Sequence, residues 1–199
     1  MRIGLLADLH GNVEGLRACL AAIGDVDRML LAGDALNSYR MQAEMMELIA
    51  ALGIGYVLGN NEASLLRHSP AERRRPEDRR AWEMLATAPT RLELELGDRR
   101  LLMVHSTPWG PADDYLYPGD PRLAAAAELD FDYLVYGHTH VPHEQRAGTT
   151  LVINPGSAGD ARGWKEGLLS CAVLDTAADA VTFLEQPDPA LAPRGEEVR

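Results

Sequence analysis

Short apolar runs alternate with helical patterns over the first sixty residues. Arg2 to Ala7 alternates too little for a half-exposed strand and reads as a central, buried one. Gly11 then breaks the run, and Asn12 stands as the N-cap of a helix whose apolar face is Val13, Leu16, Leu20 and Ile23. Met29 to Ala32 gives a second strand, Tyr39 to Leu52 a second helix and Ile54 to Leu58 a third strand. This βαβαβ order implies a parallel sheet with right-handed crossovers.

The pattern then changes. Ala63 to Thr87 reads as a charged, helical insertion, and Arg91 to Leu96 and Arg100 to Val104 read as a hairpin around the Gly97-Asp98 turn. Ser106 to Pro121 is a loop rich in Pro, Gly, Asp and Tyr. Tyr133 to Tyr136, Thr150 to Ile153, Leu169 to Leu174 and Ala180 to Leu184 supply further strands, so a second sheet packed on the first is expected. Beyond Gln186 the chain is charged and interrupted by Pro and Gly. The reading is one domain over 1–185 with a disordered tail over 186–199.

A chain of 199 residues, 46% hydrophobic and 25% charged, suits one core that buries roughly 70% of the unfolded surface. No apolar stretch approaches the about 18 residues needed to span a bilayer, and Asp8 cuts the first apolar run too early for a signal peptide, so a cytoplasmic protein is expected. Cys19 and Cys171 fall inside a helical and a strand pattern and read as buried small hydrophobes rather than a disulfide framework. A formal charge of −11 disfavours a nucleic-acid surface, which needs clustered Lys and Arg. The basic run Arg73-Arg74-Arg75 with Arg79 and Arg80 is interrupted by Glu72, Glu77 and Asp78 and reads as a solvated helix face.

Chemistry-bearing residues gather where apolar runs end: Asp8-Leu9-His10, Gly33-Asp34, Gly59-Asn60-Asn61-Glu62, His105 and Gly137-His138-Thr139-His140. In an open α/β sheet the carboxyl ends of the strands are where ligands bind. Hard oxygen donors with imidazoles suit first-row divalent metals, and two such ions about 3.5–4 Å apart can clamp both oxygens of a phosphoryl displacement. After Gly33, Asp34 can approach closely enough to bridge two ions, and the Asn60 amide is a neutral ligand suited to a site crowded with carboxylates. His138 and His140 flank Thr139, so they can serve different ions; a pair of histidines after a buried strand is costly unless paired or metal-bound. Glu62 reads as a residue of a helix's first turn, and His68 and His143 as ordinary surface residues.

These motifs resemble the calcineurin-like metallophosphoesterase superfamily, and Asn154-Pro155-Gly156-Ser157 resembles its small prokaryotic phosphodiesterase branch; the likeness runs from Met1 to Leu184. The resemblance implies an α/β fold, a four-layer αββα sandwich of two mixed sheets flanked by helices. It implies that Asp8, His10, Asp34 and His140 bind one metal and Asp34, Asn60, His105 and His138 the other, with Asp34 as bridge and a metal-bridging hydroxide as nucleophile. Asp34, Asn60, Asn61 and His105 are then the catalytic positions. Two departures stand out: many relatives carry histidine where this chain has Asn61, and glycine where it has Ser106.

The expected activity is metal-dependent hydrolysis of phosphate esters, diesters before monoesters, with Mn²⁺ or Fe²⁺ ahead of Zn²⁺ or Ni²⁺. The substrate is a small phosphodiester or nucleotide-like molecule. Trp109, Tyr115 and Tyr117 either stack a base or aryl group or pack their own loop. The rival readings are a binding scaffold of the same fold, as in a eukaryotic retromer subunit, and a protein phosphatase or nucleotide-pyrophosphate hydrolase; homo-oligomer formation is left open.

Overall fold

The computed structural model describes residues 1–69, 75–111 and 113–191. Strands β1 (Arg2–Leu6), β2 (Arg28–Leu31) and β3 (Gly55–Tyr56) run parallel, joined by helices α1 (Val13–Ile23) and α2 (Ala43–Ala51). After β3 the chain forms α3 (Asn60–His68) and α4 (Arg79–Thr87). The hairpin β4 (Arg91–Leu96) and β5 (Arg99–Val104) follows, then β6 (Tyr133–Val135), β7 (His143–Ala147) and β8 (Thr150–Asn154). The last strands, β9 (Leu168–Asp175) and β10 (Ala180–Pro187), return antiparallel to β1, giving the sheets β10-β9-β1-β2-β3 and β4-β5-β6-β8-β7.

Both sheets are mixed, and the period of two along each strand decides which side chains meet. Ile3, Leu5, Met103, Tyr133, Val135, Ile153, Ala172 and Leu174 fill the space between the sheets. The alternate positions Leu6, Leu31, Cys171 and Val173 face the other way, under Leu16, Cys19 and Ile23 of α1 and Met45, Met46 and Ile49 of α2. The outer face of the second sheet, Leu102, Leu134, Tyr136 and Val152, is covered by Leu116, Leu123 and Ala126, the last two from a 3₁₀ segment, Pro121–Glu128. The fourth layer is therefore a 3₁₀ segment and loop.

Several boundaries differ from expectation. Helix α2 starts at Ala43 rather than Tyr39, because Asn37 donates its side-chain amide to the His10 carbonyl (2.8 Å) and the chain turns there, leaving Tyr39 89% exposed. Strand β3 contracts to two residues, and α3 already begins at Asn60. Strand β7, reading His-Glu-Gln-Arg-Ala, is a polar edge strand with no apolar alternation to announce it. Strand β10 continues to Pro187 and a 3₁₀ turn follows at Pro189–Leu191, past the expected start of the tail at 186; 192–199 lie outside the described residues. Of the basic run, Arg73 and Arg74 also lie outside them, while Arg75 and Arg79 are exposed and pair with Asp78 (3.0 Å) and Glu83 (2.8 Å). Cys19 and Cys171 are buried free thiols. No helix among the described residues is long and apolar enough to cross a membrane.

Candidate metal centre

The loops leaving β1, β2, β5 and β6, with the start of α3, converge at one end of the sandwich. Five residues there adopt the left-handed backbone region: Asp8 (φ 54°), His10 (46°), Asp34 (51°), His138 (68°) and His140 (59°). Asp179 is the only other non-glycine residue with positive φ among the described residues. Left-handed geometry costs an L-residue roughly 1–2 kcal/mol, and such strain collects at functional sites because surrounding contacts enforce it.

Those contacts are specific. Asp8 N–H donates to Gly33 O (3.1 Å) and His10 N–H to Asp34 O (3.0 Å), tying the first two loops together. His138 N–H donates to Asp8 Oδ2 (2.9 Å). Asn154 donates its amide to Gly137 O (2.8 Å) and Thr139 Oγ1 (3.0 Å), and the Ser157 hydroxyl donates to Asp8 O (2.7 Å), so the Asn-Pro-Gly-Ser motif clamps the loops after β1 and β6. Glu62, fully buried, accepts N–H bonds from Gly59 (2.8 Å), Asp34 (3.1 Å) and Leu36 (2.7 Å). Gly59 must be glycine: a Cβ there would lie 2.0 Å from Asp34 Oδ1.

The side chains sort into two groups, Asp8 with His10 and His140, and Asp34 with His105 and His138. In the first, Nε2 of His10 and Nε2 of His140 lie 3.0 Å apart, at 3.9 and 3.4 Å from Asp8 Oδ1. In the second, His105 Nε2 lies 3.5 Å from Asp34 Oδ1 and 2.9 Å from Asn60 Oδ1. His105 donates Nδ1–H to Ala32 O (2.7 Å), which turns its Nε2 lone pair toward the amide oxygen. The arrangement sets acceptor against acceptor, which a cation between them resolves.

His140 and His138 are set the same way. His140 has Nδ1 3.3 Å from Asp160 Oδ2, and the backbone of Asp113 takes the hydrogen bond of His138, leaving each Nε2 directed inward. Asp8 Oδ1 and His138 Nε2, one from each group, are buried without a hydrogen-bond partner among the described residues. Stranded buried acceptors are expensive. A mixed oxygen and nitrogen donor set with two such atoms fits divalent first-row ions.

Titration follows from this crowding. Burial and the charge of Asp8 push the Asp34 carboxyl up to about 8. Burial and Asp34 raise Glu62 to about 7. Burial would raise Asp8 too, but the charge of the surrounding imidazoles, His105, His140 and His10, brings it below its ordinary value. Burial lowers His10 and His138; His140 is raised, because Asp8 and Asp160 outweigh its burial.

The remaining expectations fare unevenly. Asn61 points inward: its amide nitrogen lies 2.9 Å from His10 Nδ1 and donates to Leu36 O (3.2 Å), its oxygen accepts from the Ser38 hydroxyl, and its backbone N–H donates to Asp34 Oδ1 (2.9 Å). The Ser106 hydroxyl pins the following loop through Asp114 O. His68 is exposed and bonded to Ser64. His143 is not an ordinary surface residue; it is half-buried at the start of β7 opposite Asn154, outside both groups. Asp160 was missed, since nothing local marks a carboxylate that reaches back to His140, and Glu62 carried only its helix-start spacing.

Residues 1–179 match the family model of the calcineurin-like phosphoesterase superfamily domain. A phosphodiesterase of Methanocaldococcus jannaschii is 24% identical over 178 residues, 88% of this chain and 93% of that protein. Among solved structures, a metallophosphoesterase from Sphaerobacter thermophilus is 25% identical with a TM-score of 0.73, covering 94% of this chain and 89% of its own. A hypothetical protein from Pyrococcus horikoshii, 19% identical, has a TM-score of 0.75 over 95% of this chain and 89% of its own.

Proposed function

Because this chain belongs to the calcineurin-like phosphoesterase superfamily, we propose that it is a phosphodiesterase working with two divalent cations, one held by each ligand group. The observation that carries this reading is the pair of stranded acceptors, Asp8 Oδ1 and His138 Nε2, one in each group. When bound, such cations supply positive charge to the phosphoryl group and lower the pKa of water. Asp8, His10 and His140 are the ligands of one cation, and Asn60, His105 and His138 those of the other, with Asp34 shared. Asn60 adds an oxygen without adding charge. The bonds that His105, His138 and His140 make to Ala32 O, the Asp113 backbone and Asp160 keep three Nε2 lone pairs directed inward.

The preference for a diester comes from what surrounds the groups. No Lys or Arg donates to any of the ligand side chains among the hydrogen bonds of the described residues, so a singly charged diester suits the site better than a doubly charged monoester. The Asn61 amide is spent inside the protein, leaving no side chain at that position to protonate a leaving oxygen. Good leaving groups are favoured for that reason.

Metal-free protein reloaded separately with Mn²⁺, Fe²⁺, Zn²⁺ and Ni²⁺ and assayed on a bis-aryl phosphodiester and the matching aryl monoester tests the reading. Faster diester cleavage with Mn²⁺ or Fe²⁺, at two ions bound per chain, is the expected result. A single ion at full activity, or faster monoester cleavage, defeats it.

A further inference from the structure

Exposed aromatic residues lie on loops that carry or adjoin residues of the two groups. Among the described residues the exposed ones are Tyr39, Trp109, Tyr115, Tyr117 and Trp164. Tyr39 follows Ser38, which bonds Asn61. Trp109, Tyr115 and Tyr117 lie on the loop leaving His105, and Trp164 follows Gly163, where a Cβ would lie 2.3 Å from that of His140.

Two of these rings are joined to the centre itself. Tyr115 stacks on the His138 imidazole with centroids 3.9 Å apart and planes at 23°, and Tyr117 stacks on Tyr115 at 5.8 Å and 7°. The intervening Leu116 is buried under the second sheet, so the loop's own packing is carried by Leu116 while the tyrosines stay 46% and 52% exposed. The loop that presents them is anchored at several points. Arg122 holds Asp114, Asp120 (2.6 Å) and Tyr115 O (2.7 Å), and the Tyr136 hydroxyl donates to Leu116 O (3.0 Å). A stack that begins at a ligand imidazole and ends on an open ring face, on a pinned loop, is a pre-organised surface for another flat ring.

We propose that Tyr115 and Tyr117 form a stacking platform for a flat aromatic ring, nucleobase or aryl, borne by the ester whose phosphoryl group sits at the metal centre. This rests on the phosphodiesterase reading. The ring is held by π-stacking, which every nucleobase and aryl group offers, so the platform selects flatness rather than base identity.

The test is calorimetric binding to Mn²⁺-loaded protein of adenosine 5′-monophosphate, phenyl phosphate and ribose 5-phosphate. Both aromatic probes are expected to bind about tenfold more tightly than the sugar phosphate, as one stacked ring provides. In Tyr117→Ala the gap narrows to about twofold, and Tyr117→Trp retains it. Equal binding of all three probes by the unaltered protein, or a preference that survives both Tyr117→Ala and Tyr115→Leu, overturns the proposal. Binding and turnover separate the two readings: an intact aromatic preference without diester hydrolysis removes the phosphodiesterase assignment, whereas diester hydrolysis without the preference removes the platform.

Discussion

Asp160 places a carboxylate oxygen 3.3 Å from Nδ1 of His140, so the imidazole is held with its proton outward and its Nε2 lone pair inward. The other Asp160 oxygen accepts from Arg162 N–H (3.1 Å), and its backbone N–H donates to Ser157 Oγ (2.7 Å), which fixes the carboxylate. Removing such a partner typically lowers metal affinity about 10–100-fold. Asp160→Ala is expected to do so, with metal titration as the readout, and to let His140 populate both neutral tautomers in long-range ¹H–¹⁵N spectra of the metal-free protein. An unchanged tautomer and affinity would show that Asp160 does not position the imidazole.

Asp34→Asn keeps the shape of the side chain and removes the charge proposed to be shared by both cations. Metal content is expected to fall at both positions and hydrolysis by orders of magnitude, while His68→Ala, on the exposed last turn of α3, leaves both unchanged. Elemental analysis with rate measurement checks it; near-normal content and rate in Asp34→Asn would contradict the bridging role.

Metal removal should make stability fall with rising pH. A carboxyl whose folded pKa is raised keeps its proton in the fold after the unfolded chain has lost it, so the fold weakens until pH passes the folded value. Asp34 at about 8 and Glu62 at about 7 both act this way, and the raised His140 acts in the same direction. The lowered His10, His138 and His143 oppose this only below about pH 6.5, and the lowered Asp8 is ionised in both states above the carboxylate range. The melting temperature of metal-free protein is therefore expected to fall between roughly pH 6.5 and 8. Asp34→Asn should flatten the curve; a flat curve in the unaltered protein would refute the carboxylate account.

Glu62→Gln replaces one acceptor with an NH₂ group. At least one of the three N–H donors of Gly59, Asp34 and Leu36 then loses its partner inside the core. A stranded buried donor costs about 1–3 kcal/mol, which for a chain of this size lowers the melting temperature by roughly 2–4 °C per kcal/mol. Calorimetry that found no change would mean that water or a shifted backbone satisfies those donors.

Leaving-group dependence tests the inward-facing Asn61. Without a proton donor there, aryl diesters are expected to react much faster than alkyl ones, with rate falling steeply as leaving-group pKa rises. General acid catalysis supplies typically 10²–10⁴-fold, so Asn61→His is expected to raise activity on poor leaving groups. It should also cost stability, because the bonds to Leu36 O and Ser38 are given up. A shallow dependence in the unaltered protein, unmoved by the substitution, would point to another acid.

Most of the strands, and the polar residues at their ends, were legible in the pattern of the chain. Burial on both faces of β1 or β6 leaves a run of apolar side chains, and the polar group that interrupts such a run, Asp8 or His138, must sit at a strand terminus. The Asn12 cap and the Gly97 turn were legible for the same reason, being local backbone chemistry. Contacts across the fold set the sorting of the candidate ligands into two groups, the inward turn of Asn61, the buried Glu62 clamp, the reach of Asp160 to His140 and the half-burial of His143. They also decided that β7 is a strand and that a 3₁₀ segment covers the second sheet. Each of these depends on groups brought together across the sandwich, Asp8 and His138 being separated by 130 positions. Local periodicity records how much of a residue is buried, but not which partner meets it there.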